Sequence, residues 1–180
     1  MKKKMISATF LFLTGLLASA AAYRLTGYGV FFSLAVTCGT AFYHFAVRLA
    51  VGLGIDARYH NHMDYTKKRF QEKPFEPKLY QKMRVKRWKK HLPTFTPQEF
   101  DLKRRSAEEI VRSTCQSEVA HEVNMALSFV PVVFSVWLGS PGVFWLTSCA
   151  ASLFDGIFVI MQRFNRPRLL RLLKKQKNGL

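Results

Sequence analysis

Four apolar stretches divide the 180-residue chain, at about residues 5–23, 28–53, 123–138 and 143–161. Each is close to the ~20 residues that an α-helix needs to cross ~30 Å of hydrocarbon. Runs such as ALSFVPVVFSVWLG lack the polar face that a helix on the surface of a soluble protein presents to water. The pattern therefore predicts an all-α integral membrane helical bundle of about four transmembrane helices.

We expect a single membrane domain over residues 1–180. Its predicted parts are transmembrane helices at 5–23 and 28–53, a basic cytoplasmic interfacial segment at 54–105, a long helix at 106–138 that continues as the third span, a fourth span at 143–161, and a basic tail at 162–180. Ser106 and Glu109 have the spacing of a capping box that starts the long helix. Pro131 is expected to kink that helix within the membrane.

The net charge of +17 comes from 28 Lys and Arg against 11 Asp and Glu. Nearly all of the basic residues lie at the two ends and in the long middle segment. By the positive-inside rule, both termini are predicted in the cytoplasm of a multi-pass protein of the bacterial cell membrane. The same charge attracts anionic lipid, so we expect membrane lipids, and no nucleic acid, among the partners. The unpaired spacing of the three cysteines implies no disulfide or zinc framework.

The first apolar stretch has two interpretations. Lys2, Lys3 and Lys4 followed by an apolar run and by Ala18-Ser19-Ala20 also match a signal peptide with its cleavage site. An anchor helix is favoured because the apolar run exceeds the ~7–15 residues of a signal peptide. Whether residues 1–20 are cleaved stays open.

Ionisable residues inside membrane spans are costly, and they mark candidate functional sites. His121, Glu118 and Glu122 are the candidate catalytic residues, because an imidazole oriented by a carboxylate can take a proton from an alcohol. Further polar residues on or beside the second and fourth spans are expected at a similar depth, where they would bind substrate. These candidates are His44, Arg48, Asp155, Gln162, Arg163, Asn165, Arg166 and Arg168. No metal-binding residues are assigned in this interpretation.

Several strings resemble the glycosyl-4,4'-diaponeurosporenoate acyltransferase family: LYQKMRVKRWKKHLPTF, FDLKRRSAEEI, CQSEVAHE and MQRFNRPRL. The resemblance covers roughly residues 80–170. It implies a membrane enzyme that esterifies the sugar of a glycosylated C30 carotenoid acid with a fatty acyl chain. An amphiphilic glycolipid would then be the acceptor. The expected donor is an acyl thioester, carried by coenzyme A or an acyl carrier protein, and no cofactor is expected to be bound.

The resemblance assigns no catalytic residues, so the roles given above rest on the residues themselves. The chain has neither the H-x-x-x-x-D box of glycerolipid acyltransferases nor a G-x-S-x-G elbow. Two other functions remain open. One is a non-catalytic membrane adaptor or lipid-binding protein, and the other is a metal-dependent membrane oxidoreductase or hydrolase that would use His60, His62, His121 and Glu118.

Overall fold

A computed structural model describes residues 2–92 and 100–177 of the chain. Residues 93–99 of the predicted interfacial segment and residues 178–180 of the predicted tail lie outside the described residues. Within the described ranges the secondary structure is helical, with no strand. The prediction of an all-α fold is confirmed for this part of the chain.

The helices follow one another along the chain with short connections except between residues 59 and 107. They are α1 (Lys2–Thr26), α2 (Gly29–Tyr59), α3 (Glu76–Lys82), α4 (Val85–Trp88), α5 (Ala107–Leu127), α6 (Val130–Leu138) and α7 (Pro141–Lys177). Short 3-10 helices at Lys68–Phe70 and Lys89–His91 flank α3 and α4. Helix α7 continues through Pro167, so the predicted fourth span and most of the basic tail form one helix.

In the described part of the chain, four segments are long and apolar enough to cross a membrane: Lys2–Thr26, Gly29–Tyr59, Ala107–Leu138 and Pro141–Lys177. Large apolar side chains on these segments are exposed, including Leu11, Val136 and Leu146. Apolar groups in such positions are stable in contact with lipid and costly in contact with water. The chain is therefore a membrane protein, and the side on which its termini lie stays a prediction.

The start of α5 has the predicted capping box. The backbone N–H of Ser106 donates to Glu109 Oε2 at 2.8 Å, and the backbone N–H of Glu109 donates to Ser106 Oγ at 3.2 Å. Each side chain thus satisfies an amide that has no acceptor within the helix. The boundary between the irregular segment and α5 is defined by this local exchange.

The helix after this cap is interrupted earlier than we expected. Helix α5 ends at Leu127 and α6 begins at Val130, so Pro131 lies in the first turn of α6 rather than at a kink. Proline has no N–H to donate to the carbonyl four residues earlier, and its ring clashes with that carbonyl. The carbonyl in question belongs to Leu127, and it accepts a hydrogen bond of 2.8 Å from Tyr43 Oη instead.

The chain divides into two compact units. The first unit comprises Met1–Leu53 and Asn124–Leu153, and the second comprises Gly54–Val123 and Phe154–Leu180. A cavity of about 470 Å³ lies in the first unit, with apolar walls from α1, α2, α6 and the first turn of α7. In the second unit, Phe70 and Met63 pack on Cys115 of α5. All Asp and Glu residues of the chain belong to the second unit.

Candidate active site

The second unit has polar residues at helical spacing on both α5 and α7. The spacings correspond to i, i+3, i+4 and i+7 on α5 and to i, i+7, i+8 and i+11 on α7, so each set shares one face of its helix. We call these two sets the polar seam: Thr114, Ser117, Glu118 and His121 on α5, and Asp155, Gln162, Arg163 and Arg166 on α7.

Glu118 lies at the centre of a buried ion network. Its side chain is 1% exposed; Arg163 Nη1 donates to Oε1 at 2.7 Å and Arg166 Nη2 donates to Oε2. Arg163 also contacts Glu76 Oε1, with Nη2 at 2.6 Å. Two guanidinium groups therefore face two carboxylates. Charges can be buried in this form because each is paired and hydrogen-bonded.

The same two arginines hold the 3-10 helix Lys68–Phe70 to the polar seam. Arg163 donates to the carbonyls of Arg69 and Gln71, at 2.8 and 3.1 Å. Arg166 donates to the carbonyl of Phe70 at 3.1 Å and to Thr114 Oγ1 at 3.1 Å. The guanidinium donors that we expected to bind substrate are thus directed at protein groups, which is a structural role. Substrate binding by Arg163 or Arg166 stays a prediction.

His121 is paired with a carboxylate from α7. Its Nδ1 lies 2.9 Å from Asp155 Oδ1, and the Asp155 side chain is 1% exposed. The imidazole also stacks on Phe158, with ring centroids 4.8 Å apart and an angle of 11° between the planes. A carboxylate at Nδ1 favours the tautomer with the proton on Nδ1 and leaves Nε2 as the acceptor. Because the His121 side chain is 23% exposed, molecules outside the protein can reach it.

The carboxylate beside His121 was not the one that we expected. Glu118 and Glu122 were the expected orienting groups, since they lie within one turn of His121 on α5. Instead, Glu118 faces the arginines of α7, and Glu122 forms an ion pair with Arg69 at 2.5 Å on the surface. Asp155, which we had assigned to substrate binding, is the group that contacts the imidazole.

The other candidates on α7 contact different partners. Gln162 Nε2 donates to Ser117 Oγ at 3.1 Å, beside the His121–Asp155 pair along the seam. Asn165 Oδ1 accepts a hydrogen bond of 2.5 Å from Lys89 Nζ. Arg168 is exposed. Of the α7 candidates, only Gln162, Arg163 and Arg166 therefore share the seam with Asp155.

The two candidates on α2 belong to the first unit. Arg48 donates from Nη1 to the carbonyl of His44 at 2.7 Å and from Nη2 to the carbonyl of Ala151 at 3.1 Å. The second of these bonds connects α2 with α7 inside the first unit. A substrate-binding role for His44 and Arg48 stays a prediction.

Glu76 is a site residue that the sequence analysis missed. It is buried at the start of α3, and its partner Arg163 is 87 positions away in the chain. Burial raises the pKa of the nearby Tyr80 phenol, and the Glu76 carboxylate raises it further, so the phenol stays protonated. The available signal was weak: Glu76 is one of two acids, with Glu72, in a proline-containing and strongly basic stretch.

A metal centre receives no support from the described part of the chain. In residues 2–92 and 100–177, no three His, Cys, Asp or Glu side chains are grouped as ligands for a metal ion. His60 and His62 are both exposed, and both oxygens of Glu118 are bonded to arginine. The four residues of the metal-dependent alternative are therefore not assembled as a ligand set.

The fold and the site define a helical membrane protein in which a His–Asp pair adjoins a buried network of arginines and glutamates. The family model for glycosyl-4,4'-diaponeurosporenoate acyltransferase matches residues 65–175, and the chain belongs to this family. The matched range contains the ion network and the His121–Asp155 pair. The family name implies an acyltransferase. No curated protein and no solved structure matches the chain.

Proposed function

We propose that the protein is a membrane acyltransferase that esterifies a hydroxyl of a glycosylated lipid with a fatty acyl chain at the cytoplasmic face. A glycosyl carotenoid is the acceptor that the family name indicates. The proposed donor is an acyl thioester of coenzyme A or of an acyl carrier protein. Membership of the family supports the reaction class, and the His121–Asp155 pair supports the chemistry.

In the proposed mechanism, His121 is the general base. Asp155 holds the Nδ1–H, and Nε2 removes the proton from the acceptor hydroxyl while its oxygen attacks the thioester carbonyl carbon. The tetrahedral intermediate then loses the C–S bond. The leaving thiolate takes the proton from the imidazolium, so the products are an ester and a free thiol, and the base is regenerated.

The observation that carries this proposal is the buried carboxylate of Asp155 at 2.9 Å from Nδ1 of a partly exposed imidazole. A buried carboxylate stabilises the imidazolium that forms during proton transfer, and it fixes the ring orientation. The polar seam supports this geometry, because Gln162 and Ser117 bond to each other in the adjacent turn.

The proposal is tested by acyl transfer from a labelled acyl thioester to a glycolipid acceptor, using purified full-length protein in lipid nanodiscs. His121→Ala and Asp155→Asn should each lower the turnover by about 10²–10⁴-fold, the usual contribution of a positioned acid–base group. Glu108→Gln, which removes a partly exposed charge on α5 away from the polar seam, is the matched control. Unchanged thermal unfolding would show that the variants are folded.

Full turnover by a folded His121→Ala protein would contradict the mechanism. The acceptor is identified separately, by comparing the lipids of cells with and without the gene. An unchanged lipid profile, together with retained binding to anionic vesicles, would instead favour the alternative of a membrane adaptor. The strongly basic second unit is the feature that favours this alternative.

A further inference from the structure

A second group of polar residues lies on the part of α7 beyond the ion network. Lys89, in the 3-10 helix Lys89–His91, directs its Nζ to Asn165 Oδ1 at 2.5 Å. The same Nζ lies 4.5 Å from the centroid of the Phe164 ring. Tyr80 contacts the Phe164 ring edge-on, at a centroid distance of 5.5 Å. The lysine is thus partly buried and held in one position by contacts from α7.

Two further cations lie close to the Lys89 ammonium, since Lys86 precedes Lys89 by three residues and Arg168 follows its partner Asn165 by three residues on α7. Burial lowers the pKa of the Lys89 ammonium, and the nearby charges of Arg168 and Lys86 lower it further. Among the described residues, no carboxylate forms an ion pair with Lys86, Lys89 or Arg168. Bringing like charges together without a counter-ion costs free energy. An anion bound among them would remove that cost.

The contrast with the neighbouring arginines indicates a binding role. Arg163 and Arg166 lie within one turn of Asn165 on the same helix, and both are neutralised by carboxylates. Arg168 and Lys89 lack such partners in the described structure. Arginine and lysine together are a common phosphate-binding set, because the planar guanidinium matches two phosphate oxygens and the ammonium acts as a compact charge.

We propose that Lys86, Lys89 and Arg168, with the side-chain amide of Asn165, form a binding site for a phosphate group. Asn165 accepts from Lys89 through Oδ1 and retains its NH₂ group as a donor for a phosphate oxygen. The ligand is an anionic phosphate ester, which is present in phospholipid headgroups and in nucleotide carriers such as coenzyme A. The site is separate from the His121–Asp155 pair, so it does not rest on the proposed acyl transfer.

Binding is measured with two probes on the purified full-length protein in phosphatidylcholine nanodiscs. Calorimetry gives the affinity for free coenzyme A, and native mass spectrometry gives the retention of added phosphatidylglycerol. The test variant is Lys89→Met with Arg168→Gln. The matched control is Lys174→Met with Arg171→Gln, which removes the same charge from exposed positions on α7.

The test variant should weaken the binding of at least one probe by about tenfold or more, because two charge-assisted contacts are lost. The control should change it by about twofold or less, as expected for screened surface charges. Loss confined to coenzyme A would assign the site to a nucleotide phosphate, and loss confined to phosphatidylglycerol would assign it to a lipid headgroup. Equal effects of the two variants, or no effect of either, would overturn the proposal.

A further variant keeps the test valid if the double substitution impairs folding. Asn165→Asp places a carboxylate against the Lys89 ammonium with almost no change in shape. It should abolish the binding of the phosphate probe while thermal unfolding stays at or above that of the unmodified protein. Undiminished binding in folded Asn165→Asp protein would also overturn the proposal.

Discussion

The two units satisfy their polar side chains in different ways. In the first unit, most Ser and Thr hydroxyls donate to carbonyls three or four residues earlier in their own helix, as Thr9, Thr37 and Thr147 do. In the second unit, side chains far apart in the sequence are paired, and the pairs include buried charges such as Glu118 with Arg166. The first unit contains no Asp or Glu at all.

This difference follows from the surroundings that each unit requires. A hydroxyl bonded within its own helix needs no partner elsewhere, so the helix is acceptable to lipid on any side. A buried charge must be matched by an opposite charge from another element, so it specifies how the elements pack. The second unit, which holds the candidate active site, is therefore the one with a uniquely defined polar arrangement. The effects of polar substitutions on stability should therefore differ between the two units.

The largest effect is expected at the centre of the ion network. Glu118→Leu should lower the free energy of unfolding by about 3–5 kcal/mol, because it leaves buried arginine charge without its partner. Glu122→Leu, the same change at a surface pair on the same helix, should cost about 0–1 kcal/mol. Denaturant unfolding in detergent micelles compares the two.

The double variant Glu118→Leu, Arg166→Met sharpens this test. It removes both members of a buried pair, so it should be more stable than Glu118→Leu alone. If Glu118→Leu and Glu122→Leu proved equally mild, the network would not be what distinguishes the second unit.

In the first unit, Tyr43 of α2 donates a hydrogen bond of 2.8 Å to the Leu127 carbonyl at the end of α5. Tyr43→Phe should lower the free energy of unfolding by about 1–3 kcal/mol. The Leu127 carbonyl cannot accept a hydrogen bond from Pro131, which has no N–H, so it would lose its donor. The matched control is Tyr23→Phe, which removes the hydroxyl of an exposed tyrosine on α1. It should change the free energy of unfolding little. Similar losses from both variants would show that the bond to Leu127 has no special weight.

The capping box provides a smaller effect in the second unit. Ser106→Ala should cost about 0.5–2 kcal/mol, because the Glu109 amide loses its acceptor. Thr147→Ala removes a hydroxyl that bonds within a formed helix of the first unit and should be nearly neutral. Thermal unfolding of the two variants, followed by circular dichroism, makes the comparison. A larger loss of stability for Thr147→Ala than for Ser106→Ala would contradict this prediction.

The smallest effect concerns close packing between α1 and α2. A Cβ added at Gly15 would lie 2.9 Å from Cys38 Sγ. Gly15→Ala should stabilise the helix by about 1 kcal/mol, because alanine has the higher helix propensity. Crowding of the new methyl group against Cys38 should cost about 1–3 kcal/mol and offset this gain. In a Cys38→Ala background the crowding is relieved, so the same change should stabilise the protein. An identical effect in both backgrounds, measured by thermal unfolding, would exclude this contact as a determinant.

Several features could be predicted because they depend on residues close together in the chain. The membrane-length helices follow from uninterrupted apolar runs, whose length is compared with the thickness of the bilayer. The capping box follows from Ser106 and Glu109, three positions apart. Helical spacing also showed that Glu118 and His121 share one face of α5. The family resemblance, carried by strings such as CQSEVAHE and MQRFNRPRL, is likewise a property of the sequence.

The pairing of those residues depended on the packing of separate elements. Helical spacing identifies only the residues that lie close together on the same helix. It therefore favoured Glu118 or Glu122 as the partner of His121. The true neighbour, Asp155, is 34 positions away, and the rotation of α7 about its axis brings it to Nδ1. The same rotation turns Arg166 towards Glu118, and it leaves Arg168 exposed. The rotation of a helix is set by all its contacts with the elements packed against it, and the contact of Arg163 with Glu76 of α3 is one of these. No local sequence pattern contains this information.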